Sequence, residues 1–288
     1  MTRLFDETLE FITPAFLAGA DPARAEIRPA SIRGELRWWF RALGGTHEQE
    51  SSVFGSVHGG VTASAVIVRA AISELGRGWS LPDVSPNSGA AYVWHFAKAS
   101  ASGTRWQRSG FLPPGTKWHL QVLWKRSGES EELRLLRHAL AAFLAYGALG
   151  LRATRGLGAF LPPTKWRIPD ETTGTIMRNA GFLFEDKGEF RSLDDIISTI
   201  GSLVKGTRKK MDWINDCRRR IDTPSPMGGS HPRQASAIRF RPVKTDNGLF
   251  RLIVYEAPHD RILGQESKRQ PITGQTPSKI VFPPPLEH

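Results

Sequence analysis

Two amphipathic stripes of helical period, set among strand-like runs and followed by a glycine-rich turn, constrain the fold of this chain more than any other feature. In the stretch from Ile32 to Leu43, residues Leu36, Trp39, Phe40 and Leu43 fall at i, i+3, i+4 and i+7 and share one apolar face. Ser31 is placed to cap that helix and Gly44-Gly45 to stop it. A second helix starts near Ser130 with Glu131 and Glu132 in its first turn, where the helix dipole favours carboxylates. Its stripe is Leu133, Leu136, Leu140, Phe143, Leu144 and Gly147. Leu4 to Phe16, Val61 to Ile72, Tyr92 to Phe96 and Lys117 to Lys125 read as strands, with an exposed loop from Gly76 to Gly89. The second helix runs into Gly150-Leu151-Arg152-Ala153-Thr154-Arg155-Gly156-Leu157-Gly158, and a last strand reaches toward Trp166. Strand, helix, strands, helix, turn, strand is the order of a ferredoxin-like (RRM-like) α+β sandwich.

A second unit begins after Pro162-Pro163. Gly181 to Glu185 reads as a strand, and Ser192 caps a helix whose stripe is Leu193, Ile196, Ile200 and Leu203. Another helical stretch surrounds Trp213 and Ile214. Ala237 to Val243 and Leu249 to Tyr255 form a hairpin through Asp246-Asn247-Gly248, since Asn-Gly supplies the positive φ that tight hairpin turns need. The Pro-rich stretch from Pro258 to Pro285 is expected to be poorly ordered. The expected division is one unit over residues 1–164 and an incomplete or divergent ferredoxin-like unit over residues 165–285. Leu286, Glu287 and His288 read as a tag remnant.

The formal net charge of +11 points to a polyanionic partner. It is also concentrated: from Lys205 to Lys244 there are eleven Lys or Arg against three Asp. Arginine prevails over lysine, and its planar fork suits phosphates and bases. Cys217 is the only cysteine, which excludes an internal disulfide or a thiolate metal cluster and fits a reducing cytoplasm. The most apolar run, Ala139 to Leu151, is too short to cross a bilayer, so a membrane is not an expected partner.

Three places are candidates for RNA contact. On the first helix Arg33, Arg37 and Arg41 recur every four residues along an edge of the apolar stripe, and Trp38 leaves the stripe beside Arg41, where it could stack on a base. In the glycine-rich turn Gly156 and Gly158 would let backbone N–H groups approach phosphates, with Arg152 and Arg155 supplying charge. No phosphate-loop lysine follows, which argues against a nucleotide hydrolase. The third place is the basic tract containing Arg208, Lys209 and Lys210.

The stretches Ile12-Thr13-Pro14-Ala15-Phe16-Leu17-Ala18-Gly19-Ala20 and Glu26-Ile27-Arg28-Pro29-Ala30-Ser31-Ile32-Arg33-Gly34-Glu35-Leu36-Arg37-Trp38-Trp39-Phe40-Arg41-Ala42-Leu43 resemble the opening of the subunit-one family of the Cmr complex. Phe54-Gly55-Ser56, the glycine-rich turn and Arg233 to Phe240 are similar to the same pattern. That complex is a type III-B CRISPR effector built from RAMP-superfamily subunits. The resemblance implies two RAMP domains and a place at the end of the complex that holds the 3′ region of the guide RNA. It also implies contact with guide or target RNA beside other RAMP subunits, and antiviral defence without a cofactor. Arg28 joins the candidate RNA contacts on this ground. In that family subunit one binds and caps, and a different subunit cuts the target.

The alternative is a RAMP-type, metal-independent endoribonuclease that processes guide RNA with a histidine. The first helix contains no histidine, and His47 and His58 follow it without a recognisable partner. Asp21 lies where the target-cutting subunit carries its aspartate, but in Ala-Asp-Pro, a turn-initiating context. No HxxxH, HExxH or DxD spacing suggests a metal site.

Overall fold

In the computed structural model, which describes residues 1–21, 24–57, 61–82, 84–85, 88–94, 110–163, 171–210, 229–230, 233–234 and 236–262, the first sheet is built from both ends of the N-terminal half. The elements are β1 (Thr2–Phe11), α1 (Pro29–Ala42), α2 (His47–Phe54), β2 (Val66–Glu74), α3 (Gly89–Trp94), β3 (Lys117–Trp124), α4 (Glu131–Tyr146) and β4 (Phe160–Leu161). The strands pair antiparallel in the order β2-β3-β1-β4, the ferredoxin-like order. Alternate residues of β1 and β3, such as Leu9, Phe11, Trp118, Leu120 and Val122, point inward onto α1 and α4, as the two-residue period of a strand requires.

The second unit follows with α5 (Glu171–Asn179), β5 (Leu183–Phe190), α6 (Leu193–Lys210), the short pair β6 (Gly229–Ser230) and β7 (Arg233–Gln234), β8 (Ile238–Lys244), β9 (Phe250–Glu256) and α7 (His259–Ile262). Its main sheet has the order β5-β9-β8. That is the ferredoxin-like pattern with the place beside β5 unfilled among the described residues. One face, with Ile238, Phe240, Leu252 and Val254, lies under α6 and α3. The opposite face, with Phe184, Ile253 and Tyr255, joins the core of the first unit. The second sheet is thereby buried on both sides, one of them against the helices of the first unit.

Several elements depart from the sequence expectation for physical reasons. Strand β1 ends at Phe11, because Thr13 turns its hydroxyl to the glycine-rich turn: its Oγ1 donates to the Gly156 carbonyl (2.9 Å) and accepts from the Ala159 N–H (2.9 Å). Helix α1 begins at Pro29, whose fixed φ suits a first helical position, and not after Ser31. Helix α2 was not expected; a capping box between Thr46 and Gln49 starts it. The stretch read as a strand over Tyr92–Phe96 is helical through Trp94, and residues 95 and 96 lie outside the described residues. Ser88 accepts from the Ala91 N–H (3.1 Å) at the start of α3, and Val93 and Trp94 pack toward α6. A close crossing at Gly89 and Gly201 fixes that contact, since a Cβ at Gly201 would stand 1.8 Å from the Gly89 carbonyl oxygen.

The connection from Gly76 to Gly89 is partly packed through Trp79, Leu81 and Val84. The hairpin of β8 and β9 forms as expected, with Gly248 at φ 83°. Ordered structure continues past Pro258: in α7, Arg261 Nη1 donates to the carbonyls of Ala42 (3.0 Å) and Ala180 (2.8 Å). The expected helix around Trp213, the cluster Arg218 to Arg220, and residues 263–288 lie outside the described residues.

Candidate nucleic-acid interface

The arginine edge of α1 is present as a charged ridge. Arg37 donates to Glu50 (2.8 Å) and to the Gly55 carbonyl (3.2 Å), Arg41 donates to Glu50 (3.1 Å), and Arg33 donates to the Phe54 carbonyl (2.6 Å). These bonds clamp α2 onto α1. They also set two guanidinium groups against one carboxylate, with the side chains of Arg37 and Arg41 38% and 46% exposed. A guanidinium carries five N–H donors, so each retains donors for an outside acceptor. Arg28 is exposed at the N-cap of the same helix.

Trp38 does not offer a base-stacking face. It is 6% exposed, and Arg239 from β8 lies over its ring, the guanidinium carbon 3.6 Å from the centroid. Arg239 also pairs with Glu35, one turn earlier on α1 (2.6 Å). The ring leaves the stripe because a second partner covers it: α1 is buried against its own sheet on one side and against the second unit on another.

The glycine-rich turn divides in two. Its outer half, Gly150, Leu151 and Arg152, reaches solvent, and Arg152 holds φ 63°, the one non-glycine positive φ among the described residues. The Arg152 guanidinium sits over the Tyr92 ring of α3 at 5.3 Å. The inner half is a joint. Arg155 is 4% exposed, donates to the Ile238 carbonyl (3.3 Å) and lies over Phe240. Gly156 and Gly158 are buried, and a Cβ at Gly158 would stand 1.8 Å from the Leu149 carbonyl oxygen. The Gly158 N–H already donates to the Pro14 carbonyl (2.9 Å). Arg155 and Gly156 therefore pack against the second unit, Gly158 closes the turn on Leu149 and Pro14 of the first, and none of the three presents a cradle to phosphate, contrary to the sequence expectation.

Arg208, Lys209 and Lys210 close the last turn of α6, and their side chains lie outside the described residues. Earlier on α6, exposed Lys205 donates to the Ser88 carbonyl (2.9 Å), which puts the C-terminal half of α6 beside α3 and Tyr92. His47 occupies the first position of α2, and the Asp21 carbonyl accepts from the Arg24 N–H (3.3 Å) in a turn. His58 lies outside the described residues. Among the described residues no group of three or more His, Cys, Asp or Glu could hold a metal, and no helix is long and apolar enough to cross a membrane.

Sequence reasoning missed the inward arginines of β8. Arg241 is 2% exposed, donates to the Phe160 carbonyl and lies over the Phe160 ring at 5.1 Å; burial lowers its pKa to about 10. The alternation Ile238-Arg239-Phe240-Arg241 was the available signal: it puts both arginines on one face of a strand.

The model of the RAMP superfamily matches residues 8–160, just over half of the chain. The chain belongs to the RAMP superfamily. Among its relatives is CRISPR system Cmr subunit Cmr1-2 of Pyrococcus furiosus, 29% identical over 180 residues that cover 54% of this chain and 92% of that one. Cmr subunit Cmr1-1 of the same organism is 27% identical over 63% of this chain and 51% of its own length. This RAMP protein also shares its fold with the crystal structure of Cmr1 from Pyrococcus furiosus, with a TM-score of 0.57 at 19% identity over 88% of this chain and 87% of that one. A chain of the type III-B Cmr-β complex bound to cognate target RNA gives a TM-score of 0.53 at 12% identity, over 88% and 94%.

Proposed function

We propose that this chain is a non-catalytic RNA-binding subunit of a type III-B CRISPR (Cmr) ribonucleoprotein. It engages the 3′ region of the guide RNA, the target RNA or both, beside other RAMP subunits. The observation that carries this reading is the ridge on α1, where Arg37 and Arg41, both partly exposed, share the carboxylate of Glu50 and Arg33 beside them is held by the Phe54 carbonyl, within the segment matched by the RAMP model. Arg28 extends the ridge, and Arg152 over Tyr92 of α3 with exposed Lys205 of α6 supplies a second basic corner. Arginine forks take phosphate oxygens in pairs, and the attraction does not depend on base identity. The Cmr1 relatives and the Cmr-β chain with its target RNA favour this setting over other RAMP roles.

Incubating end-labelled single-stranded RNA with the full chain, with and without magnesium or manganese, tests the reading. Retention of intact RNA is the expected result. Specific products that disappear on changing Asp21, His47 or His58 would instead establish the guide-processing nuclease.

A further inference from the structure

We propose that the outer edge of β2 receives an extended strand of a neighbouring protein subunit by β-addition; this rests on the reading of the chain as part of a multi-subunit complex. β2 is nine residues long and, among the described residues, pairs only with β3. The Lys125 N–H bonds the Ala65 carbonyl (2.9 Å), so in this antiparallel register Ile67, Arg69 and Ala71 turn their backbone groups to β3, while Val66, Val68 and Ala70 turn theirs outward. Two devices close the ends of that row. At one end the Ser64 hydroxyl donates to the Val66 carbonyl (2.8 Å) and accepts from its N–H (3.3 Å). At the other a register shift between Ile72 and Glu74 bends the strand. Between them the N–H and C=O groups of Val68 and Ala70 form an open window, and an open edge is a template for another strand.

The surroundings select a polypeptide. Among the described residues six large apolar side chains stand exposed, and four of them, Val57, Val61, Ile72 and Leu75, cluster in sequence around β2. Glu74 is ion-paired with Lys117 (2.9 Å), and Arg69, the one cation of β2, hydrogen-bonds the neutral amide of Gln121 (3.1 Å), so the edge offers a single positive charge to a phosphate backbone. A second copy of this chain fits poorly. The antiparallel register that satisfies Val68 and Ala70 of both copies sets Arg69 directly opposite Arg69, and like charges so placed repel.

Ala70→Pro removes one outward N–H without touching the β2–β3 ladder, which proline tolerates on an edge strand. Val61→Lys with Leu75→Lys changes only exposed side chains and serves if the proline variant folds poorly. The full chain is assembled with the other RAMP subunits of its complex, and its affinity for them and for single-stranded RNA is measured separately. At least a tenfold loss of subunit affinity, with RNA affinity within twofold of wild type, is the expected result. Unchanged assembly by both variants overturns the edge proposal alone. So does a loss of RNA affinity in step with assembly, or a dimer of the chain itself that Ala70→Pro abolishes. A wild-type chain that joins no such subunit overturns the proposal together with the reading on which it rests.

Discussion

The guanidinium of Arg239 lies 3.6 Å above the ring of Trp38, although the two residues belong to different units of the chain. Glu35 pairs with the same guanidinium from one turn earlier on α1, so a cation is held between a carboxylate and an aromatic face with only 5% of the arginine exposed. Cation–π contacts strengthen when desolvated. Trp38 is thus a docking residue between units.

Trp38→Ala is therefore expected to destabilise the protein by ~3–5 kcal/mol, the range for truncating a buried tryptophan. Trp39→Ala should fall in the same range, because Trp39 is fully buried and stacks on Phe182 with centroids 5.7 Å apart. Denaturant unfolding of each variant, with RNA affinity measured on the folded fraction, checks both. A Trp38→Ala protein of normal stability that binds RNA weakly would restore the stacking role.

The two tryptophans show where the sequence was legible. Periodicity found α1, α4 and the strands β1, β2 and β3 of the first sheet, because each pattern is local and the sheet buries one face of each element. It placed Trp39 on the apolar stripe correctly. It could not show what covers Trp38, since Glu35 and its partner Arg239 lie 204 residues apart. The stretch read as a strand from Tyr92 misled for the same reason: Tyr92, Val93 and Trp94 form a helix because the glycines at 89 and 201 let α3 lie close on α6. In the glycine-rich turn, composition alone did not separate an anion cradle from a joint. The decision rests on the Pro14 carbonyl and the Thr13 hydroxyl, which take the N–H groups of Gly158 and Ala159.

Glycines give a paired test of that turn. Gly158 has φ 66° with no room for a Cβ, whereas Gly34 sits in α1, where an added methyl would meet nothing within 4 Å. Gly158→Ala should cost more than ~1 kcal/mol, and Gly34→Ala should add ~0.5–1 kcal/mol. Melting temperatures of the two variants check the opposite signs.

Arg241 predicts a pH effect. Burial lowers its pKa from the ordinary arginine value to about 10, so folding disfavours its charged form. Between those values the unfolded chain binds more protons than the folded one, and this residue's contribution to stability rises with pH. Below about pH 10 the penalty is fully present. Arg241→Met is expected to be more stable than wild type at pH 7, since apolar replacements of buried charges often gain ~1–4 kcal/mol. Chemical denaturation of both proteins from pH 7 upward should show the gap narrowing above pH 10; a gap that is constant or widens would contradict the buried charge.

The most direct measurement is the salt dependence of single-stranded RNA affinity for the wild-type chain and for a triple variant, Arg28→Gln, Arg41→Gln and Arg152→Gln. These three side chains lie on the proposed interface, and Glu50 keeps Arg37 when Arg41 is lost. If each contacts a phosphate, the slope of log K against log salt falls by ~0.7 per contact, about 2 in all, for RNA of any sequence. The predicted result is that loss of slope with an unchanged melting temperature. Parallel lines for the two proteins would contradict RNA binding at this surface.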